Sequence, residues 1–346
     1  MKMKLSITFV LLLTIVTAAF AADGRKDVRK YEVLNHFAVG GEGGWDYLAF
    51  DDVAGRLFIS RGTHVLVLDP SNGKQLGDIP DTPGVHGIAL AQDLGLGFIS
   101  NGRAGTVTII DLKSLKKTGE VKAGTNPDAI LYDRPSQRVF AFNGRSADAT
   151  VIDAVKASVL ATIPLGGKPE FAVSDEQGHV FVNIEDKSEI VKLDAQKMTV
   201  LARWPLTGCE EPSGLAIDRE KQRLFSVCDN KTMAVTDATN GKVVATVPIG
   251  EGPDAAAYDP ATHTAFSSNG EGSLTVVQQE SADKYVVAQP VTTARGARTM
   301  TLDPKTHTIF LVTAKFGPAP APTKDQPHPR PIMEPGTFEV IVVGQK

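Results

Sequence analysis

The sequence predicts an all-β fold, a seven-bladed β-propeller with four antiparallel strands in each blade, and three observations lead to this prediction. The stretch 213–252 contains four short apolar runs, GLAID, RLFSV, MAVTD and KVVATV, separated by polar turn residues. Runs of this length that are rich in Val, Leu and Phe indicate β-strands rather than helices. Four such strands form one antiparallel sheet, which needs neighbouring sheets to bury both of its faces.

The other two observations are repeated marker residues. A phenylalanine of the second strand recurs about every 40–45 residues, at Phe58, Phe98, Phe140, Phe181, Phe225, Phe266 and Phe310. An aspartate closes the third strand of five repeats, at Asp69, Asp111, Asp153, Asp194 and Asp237, and Gln278 replaces it in the sixth. This period is typical of β-propellers, in which every sheet stacks on its neighbours. The seven repeats therefore predict seven blades.

Residues 1–22 carry the features of a secretory signal peptide. Lys2 and Lys4 precede an apolar run over residues 5–16, and Ala19-Phe20-Ala21 offers a small-x-small cleavage site. The run is short for a helix that spans a bilayer. We therefore expect a periplasmic or secreted protein whose single domain occupies residues 23–346, with no membrane span after cleavage.

The charge of the chain bears on its partners. The formal net charge is −4, and loss of Lys2 and Lys4 with the signal peptide makes it −6. Binding to nucleic-acid phosphates requires clustered positive charge, so a nucleic-acid partner is not expected. We expect a monomer whose partner is a small molecule or another protein of the cell envelope.

The strand pattern also predicts how the ring closes. Residues 31–39 form a strand that has no repeat of its own around it, and the seventh repeat, which begins at Arg298, stops one strand short. The six complete repeats occupy residues 45–80, 86–123, 128–165, 170–206, 213–250 and 254–291. We expect the N-terminal strand to complete blade seven, because closure removes an open sheet edge.

Residues 315–336 form a proline-rich insertion between the second and third strands of blade seven. Its proline density prevents regular ladder hydrogen bonding and favours extended structure. A loop at this point leaves the blade on the face that carries the blade-to-blade connections. It is either a solvated surface loop or a lid over the central channel.

Two cysteines, Cys209 and Cys228, are the only ones in the chain. An exported protein meets an oxidising compartment, so we expect a disulfide between them. Two cysteines alone do not make a zinc site, which normally has four ligands. The sequence has no Cys-x-x-Cys-His motif, so covalent haem is not expected.

Two strings of the chain resemble a known family. IDLKSLKKTGEVKAGTNPDAILYD (110–133) and TDATNGKVVATVPIGEGPDAAAYD (236–259) are similar to the repeats of the YVTN-type, YncE-like secreted β-propeller proteins. The resemblance covers residues 31–346, although the tetrapeptide YVTN itself is replaced by strings such as LFIS and IFLVT. It implies an exported seven-bladed propeller, distantly similar to the haem d1-binding domain of nitrite reductases. It implies no activity, because the family has no shared catalytic motif.

One position per blade starts the innermost strand and should face one mouth of the central channel. These positions hold Asp46, His86, Asp128, Glu170, Ser213, Asp254 and Arg298. The candidate ligand-binding set consists of the six ionisable residues at these positions together with Trp45 and Arg295, which lie close to two of them in the sequence. Six of these seven positions carry an ionisable side chain, which is an unusual density of charge for a purely structural position.

Three interpretations of this ring remain open. Asp46, His86, Asp128, Glu170 and Asp254 are candidate ligands of a divalent cation, because hard cations favour carboxylates. Alternatively, a small polar molecule binds here, with Arg298 and His86 facing its anionic group. The third interpretation is structural: polar residues at strand starts bind backbone groups and channel water.

The chain contains no Gly-x-Ser-x-Gly, His-Glu-x-x-His or phosphate-binding glycine motif. We therefore expect a binding or scaffold protein of the cell envelope rather than an enzyme. The alternative is a metal-dependent hydrolase, similar to lactonases, that uses the carboxylates and His86 of the ring.

Overall fold

A computed structural model describes residues 30–321, 323 and 331–346, so the predicted signal peptide lies outside the described residues. The chain forms seven four-stranded antiparallel sheets, which confirms the predicted seven-bladed β-propeller. The only helices in these residues are two short 3₁₀ turns, Gln92–Leu94 and Glu185–Lys187. No helix in this part of the chain is long and apolar enough to cross a membrane.

Within each blade the strands follow one another from the central channel outwards. Blade one contains β2 (Leu48–Asp51), β3 (Arg56–Arg61), β4 (His64–Leu68) and β5 (Gln75–Ile79). Blade two contains β6 (Val85–Ala91), β7 (Leu96–Asn101), β8 (Thr106–Asp111) and β9 (Lys116–Lys122). Blade three contains β10 (Pro127–Asp133), β11 (Arg138–Asn143), β12 (Asp148–Asp153) and β13 (Ser158–Pro164).

The later blades repeat this order. Blade four contains β14 (Pro169–Ser174), β15 (His179–Ile184), β16 (Glu189–Asp194) and β17 (Thr199–Pro205). Blade five contains β18 (Pro212–Asp218), β19 (Arg223–Cys228), β20 (Thr232–Asp237) and β21 (Val243–Pro248). Blade six contains β22 (Pro253–Asp259), β23 (Thr264–Asn269), β24 (Ser273–Ser281) and β25 (Lys284–Thr292). Blade seven contains β26 (Met300–Asp303), β27 (Thr308–Thr313), β28 (Glu339–Gln345) and β1 (Tyr31–Ala38).

Closure of the ring follows the prediction. β1 pairs antiparallel with β28, from Tyr31 opposite Gln345 to Ala38 opposite Glu339. A strand from each end of the described chain therefore completes blade seven. Because β28 pairs with β27 on one side and with β1 on the other, it has no unpaired edge.

The repeated aspartates determine where the third strands turn. The Oδ1 atom of Asp237 accepts hydrogen bonds from the Thr239 amide at 2.8 Å and from the Thr239 hydroxyl at 2.6 Å. Asp111 accepts equivalent bonds from the amide and hydroxyl of Ser114. A short carboxylate that binds the backbone two or three residues later favours a turn over further strand.

A second repeated position lies three residues before each marker phenylalanine and needs left-handed backbone. The residues there are Gly55, Gly95, Gln137, Gly178, Gln222, His263 and His307, and φ is positive in all of them. His307 Nδ1 lies 2.8 Å from Asp259 Oδ2, and His263 Nδ1 lies 3.4 Å from the Tyr258 hydroxyl. These two histidines therefore act as turn residues in separate blades.

The marker phenylalanines form the core between the blades. Six of them are fully buried and Phe310 is 2% exposed. Each apolar cluster joins neighbouring sheets: one contains Phe98 and Val107 of blade two together with Val139 and Ile152 of blade three. Because neighbouring sheets bury each other's faces, no blade has a complete core of its own.

The predicted disulfide joins Cys209 to Cys228, with their Cα atoms 5.4 Å apart. It links the connection that enters blade five to the end of β19. Both cysteines are buried.

We expect the double variant C209S/C228S to lose roughly 3 kcal/mol of unfolding free energy. Without the bridge the unfolded chain regains the entropy of a loop of about 20 residues. Urea denaturation of the wild type and the variant measures this difference. Equal midpoints for the two proteins would contradict the estimate.

Candidate functional site

The charged ring positions lie at or just before the starts of the innermost strands. In blades two to six the pairing register between the first and second strands shifts across these positions, as between Val85 and Ile88 and between Pro127 and Ile130. A bulge of this kind bends the strand and redirects its side chains. It occurs here at the point where His86 and Asp128 reach the channel.

Buried polar side chains of the second strands fix the backbone of the ring residues. The Ser100 hydroxyl of β7 donates to the Asp128 carbonyl of the next blade, and the Ser268 hydroxyl of β23 donates to the Arg298 carbonyl of blade seven. The Asn183 amide does the same for the Ser213 carbonyl at 3.1 Å. The ring is therefore held by bonds between blades as well as within them.

The ring residues surround a cavity of about 430 Å³ at the mouth of the channel. Six of the eight predicted ligand-binding residues line it: Asp46, His86, Asp128, Glu170, Asp254 and Arg298. Trp45 and Arg295 are not among its lining residues. The indole of Trp45 packs against Phe316 and Phe338, with ring centroids 5.9 and 5.4 Å apart. Arg295 is exposed, and its carbonyl accepts a hydrogen bond from the Thr313 hydroxyl.

Sequence reasoning missed five ionisable residues of the lining: Tyr47, Lys168, Glu185, Glu211 and Asp229. Tyr47 and Lys168 lie one and two residues from the predicted Asp46 and Glu170. Glu185 and Asp229 directly follow second strands, which end on the same face as the innermost strands begin. A search of the residue after each second strand would have found these two.

His86 is held between two carboxylates. Its Nδ1 atom lies 2.5 Å from Asp46 Oδ2 and 3.7 Å from Asp128 Oδ1. Burial lowers the pKa of His86, but the hydrogen bond to Asp46 and the charge of Asp128 outweigh it, so the net pKa is raised. Burial raises the pKa of Asp128 to about 6, with Asp46 adding to the rise and His86 opposing it.

The other carboxylates of the ring are paired with permanent cations. The Lys168 ammonium lies 2.8 Å from Glu170 Oε1 and also contacts Glu185, and Arg298 Nε lies 3.0 Å from Asp254 Oδ2. Burial nevertheless raises the pKa of Glu170 to about 8, with Asp128 adding to the rise. Burial likewise raises the pKa of Asp254 to about 7 against the opposing charge of Arg298. The ring is therefore crowded with negative charge that its own cations do not fully compensate.

An aromatic pair lies below the ring. Tyr47 lines the cavity, and its ring stacks on Phe171 of blade four with the centroids 4.5 Å apart. Blades one and four stand on opposite sides of a seven-membered ring, so this contact crosses the channel. The Tyr47 hydroxyl is buried and has no hydrogen-bond partner among the described residues. Burial raises its pKa well above the usual value, and the charges of Asp128 and Glu170 add to the rise.

The base of the proline-rich insertion lies on this face of the propeller. The Gly317 amide donates to the Ile332 carbonyl and the Glu334 amide to the Lys315 carbonyl, which forms a short ordered stem. Phe316 of the stem packs on Trp45. None of the described residues of the insertion lines the cavity, and the prediction of a lid stays untested.

Comparison with known proteins supports the fold. The structure is similar to Kuenenia stuttgartiensis hydrazine synthase, at 16% identity and a TM-score of 0.68 over 78% of this chain and 92% of that one. It is similar to U3-55K, at 11% identity and 0.73 over 90% and 98% of the two chains. The RRP9 WD40 repeats match at 10% identity and 0.74 over 90% and 97%.

At these identities the similarity shows the β-propeller fold alone. No protein-family model matches the chain, and no curated protein matches it. The resemblance to YncE-like repeats is therefore confirmed only in the fold that it implies.

Proposed function

We propose that this chain is an exported binding protein of the cell envelope that holds a small cationic ligand in the cavity at the channel mouth. The proposal rests on the balance between positive and negative side chains that line the cavity. Two permanent cations, Lys168 and Arg298, face seven carboxylates: Asp46, Asp128, Glu170, Glu185, Glu211, Asp229 and Asp254. A bound cation relieves the repulsion among these carboxylates, and an anion adds to it.

An anionic ligand fits this cavity less well. His86 and Arg298, the two residues predicted to face an anionic group, already contact Asp46 and Asp254. An anion has to compete with these carboxylates at close range. Both ion pairs thus favour a ligand of positive charge.

Two observations support export. Lys2 and Lys4 followed by the apolar run of residues 5–16 have the order of a signal peptide. A disulfide such as that between Cys209 and Cys228 is typical of proteins in an oxidising compartment. Both observations support the proposal that the ligand binds outside the cytoplasm.

A thermal-shift screen of chelator-treated protein at low ionic strength tests the cationic ligand. The panel contains divalent metal ions, a short aliphatic diamine and, as matched anions, a sugar acid and a dicarboxylate. A ligand at about 100 times its Kd adds about 2.7 kcal/mol, and we expect at least one cation to raise Tm by several degrees. The anions should leave Tm unchanged.

Variant E170Q/D254N, which removes two carboxylates of the ring, should lose the response to the diamine. Variant E32Q/E280Q removes two charges outside the cavity and should keep it. Stabilisation by an anion, or by no member of the panel, would contradict the proposal.

A metal-dependent hydrolase is the second candidate function. Burial raises the pKa of Glu170 to about 8, which brings this carboxyl group close to the value that suits a general acid near neutral pH. It stands in the same cavity as the His86 cluster. Hydrolysis of a lactone or phenyl ester in the presence of a stabilising metal, lost in E170Q, would favour this candidate.

A further inference from the structure

The charges of the lining fall into three groups, and one of them lacks a permanent cation. Lys168 lies between Glu170 and Glu185, and Arg298 contacts Asp254. The third group consists of Asp46, His86 and Asp128, which come from three consecutive blades. Among the described residues, no Lys or Arg lies within ion-pair distance of this group.

The three side chains already have nearly the spacing of metal ligands. One imidazole nitrogen and one oxygen from each carboxylate all lie within 4.8 Å of one another. In a tetrahedral site with metal–ligand bonds of 2.0–2.1 Å, ligand atoms lie about 3.3 Å apart. The two distances from His86 Nδ1, 2.5 Å to Asp46 and 3.7 Å to Asp128, bracket this value.

We infer that Asp46, His86 and Asp128 form a binding site for one divalent metal ion. Imidazole nitrogen suits Zn²⁺ and other borderline ions, whereas carboxylate oxygen also suits Mn²⁺. A set of one nitrogen and two oxygens favours Zn²⁺ first and Mn²⁺ second over Ca²⁺, which prefers oxygen alone. The inference rests on the proposed function, because the metal is the cationic ligand or one part of it.

The surrounding structure holds the three side chains in place. The Asp46 amide donates to the Ser60 hydroxyl, and the Ser100 hydroxyl donates to the Asp128 carbonyl. Gly102 leaves room for the imidazole, since a Cβ atom there would lie 2.6 Å from His86 Nε2. A site whose ligands are positioned in advance loses little entropy when the ion binds.

The Tyr47 hydroxyl is an independent observation that points to a ligand. This hydroxyl is buried at the cavity without a hydrogen-bond partner among the described residues. A buried hydroxyl without a partner is unfavourable, because it has given up its hydrogen bonds to water and gained none in return. Three protein ligands leave at least one coordination position of the metal for water. Water bound there can satisfy the Tyr47 hydroxyl.

Calorimetric titration of the chelator-treated mature protein with Zn²⁺, Mn²⁺ and Ca²⁺ tests this site. We expect one Zn²⁺ per chain, with Mn²⁺ weaker and Ca²⁺ weaker still. Variants H86A and D46N should each lower the Zn²⁺ affinity at least about 100-fold, since each removes a ligand. Substituted Co²⁺ should give a visible absorption spectrum that changes in H86A.

Two variants serve as matched controls. His179 makes a similar contact, with Nδ1 2.7 Å from Asp175 Oδ2, but lies outside the cavity. H179Q should bind Zn²⁺ as the wild type does. E280Q removes an exposed carboxylate that lies outside the cavity and should change the affinity no more than about threefold.

The outcome also separates the metal site from the proposed function. If H86A and D46N bind Zn²⁺ with wild-type affinity, or if the wild type binds no divalent ion, the metal site is wrong. If the wild type binds no divalent ion but still binds the diamine, and E170Q/D254N abolishes diamine binding, the cationic-ligand function stands. If neither the metal ions nor the diamine binds, both are wrong.

Discussion

A chain that begins at Gly41, and so lacks β1, should unfold at a temperature at least about 10 °C below that of the complete domain. β1 supplies the outer strand of blade seven through its pairing with β28. Without it, β28 becomes an open edge whose unpaired backbone groups can bind another chain. We therefore expect the shortened protein to aggregate as well as to melt early.

β1 also makes contacts that join blade seven to blades six and one. The Gln289 side chain of blade six accepts from the Tyr31 amide at 3.0 Å and donates to the Tyr31 carbonyl at 2.7 Å. The Tyr31 ring meets Phe266 of blade six with centroids 5.1 Å apart. On the other side, Phe37 packs so closely on Gly73 of blade one that a Cβ atom there would lie 2.4 Å away. Deletion removes these contacts together with the strand pairing.

Differential scanning calorimetry of three chains measures the effect. A chain that begins at Lys30 retains β1 and serves as the control for shortening. It should melt as the chain of residues 23–346 does. Equal melting temperatures for the chains that begin at Lys30 and Gly41 would show that β1 does not close the ring.

The second large effect concerns the charge of the ring. Variant E170Q/D254N is expected to be more stable than the wild type by at least about 3 kcal/mol at pH 8. Burial raises the pKa of Glu170 to about 8 and that of Asp254 to about 7. Ionisation of these groups therefore costs more free energy in the folded protein than in the unfolded chain. The amides cannot ionise and avoid this cost.

The direction of the pH dependence follows from the raised pKa values. Between the usual values near 4 and the folded-state values of about 7 and 8, the folded protein binds more protons than the unfolded chain. Wild-type stability therefore falls as the pH rises through this window. The difference between the variant and the wild type should be small at pH 4.5 and grow up to pH 8.

Urea denaturation in metal-free buffer across this pH range measures the difference. Variant E211Q/D229N removes two carboxylates that line the cavity but are exposed, and it should follow the wild type closely. A constant difference between E170Q/D254N and the wild type at all pH values would contradict the argument. So would a variant that is less stable at pH 8.

The two large predictions differ in how far the sequence alone supports them. The seven blades, the closing strand and the disulfide were all predicted from the sequence, and the structure confirms them. Their signals are local: apolar runs of strand length, turn residues and a fixed repeat of Phe58, Phe98 and their equivalents. Segments with these patterns form strands and turns with little influence from residues that are distant in the sequence.

The ring of charged side chains was also predicted by repeat position, because equivalent positions of a propeller point toward one axis. What each side chain contacts was not predictable. Lys168 contacts Glu185 in the 3₁₀ turn that follows β15, and Tyr47 stacks on Phe171 of the opposite blade. Trp45, next to the ring in sequence, instead packs on Phe316 of the insertion.

The physical reason is that these contacts depend on the closed ring. A repeat period shows which residues are equivalent. It predicts neither the diameter of the channel nor the bulges that direct His86 and Asp128 into it. The raised pKa values of Glu170 and Asp254 arise from burial among groups of several blades. The sequence alone thus determined the architecture and which residues approach the axis. Only the tertiary structure decided which charges are compensated and which three side chains can share a metal ion.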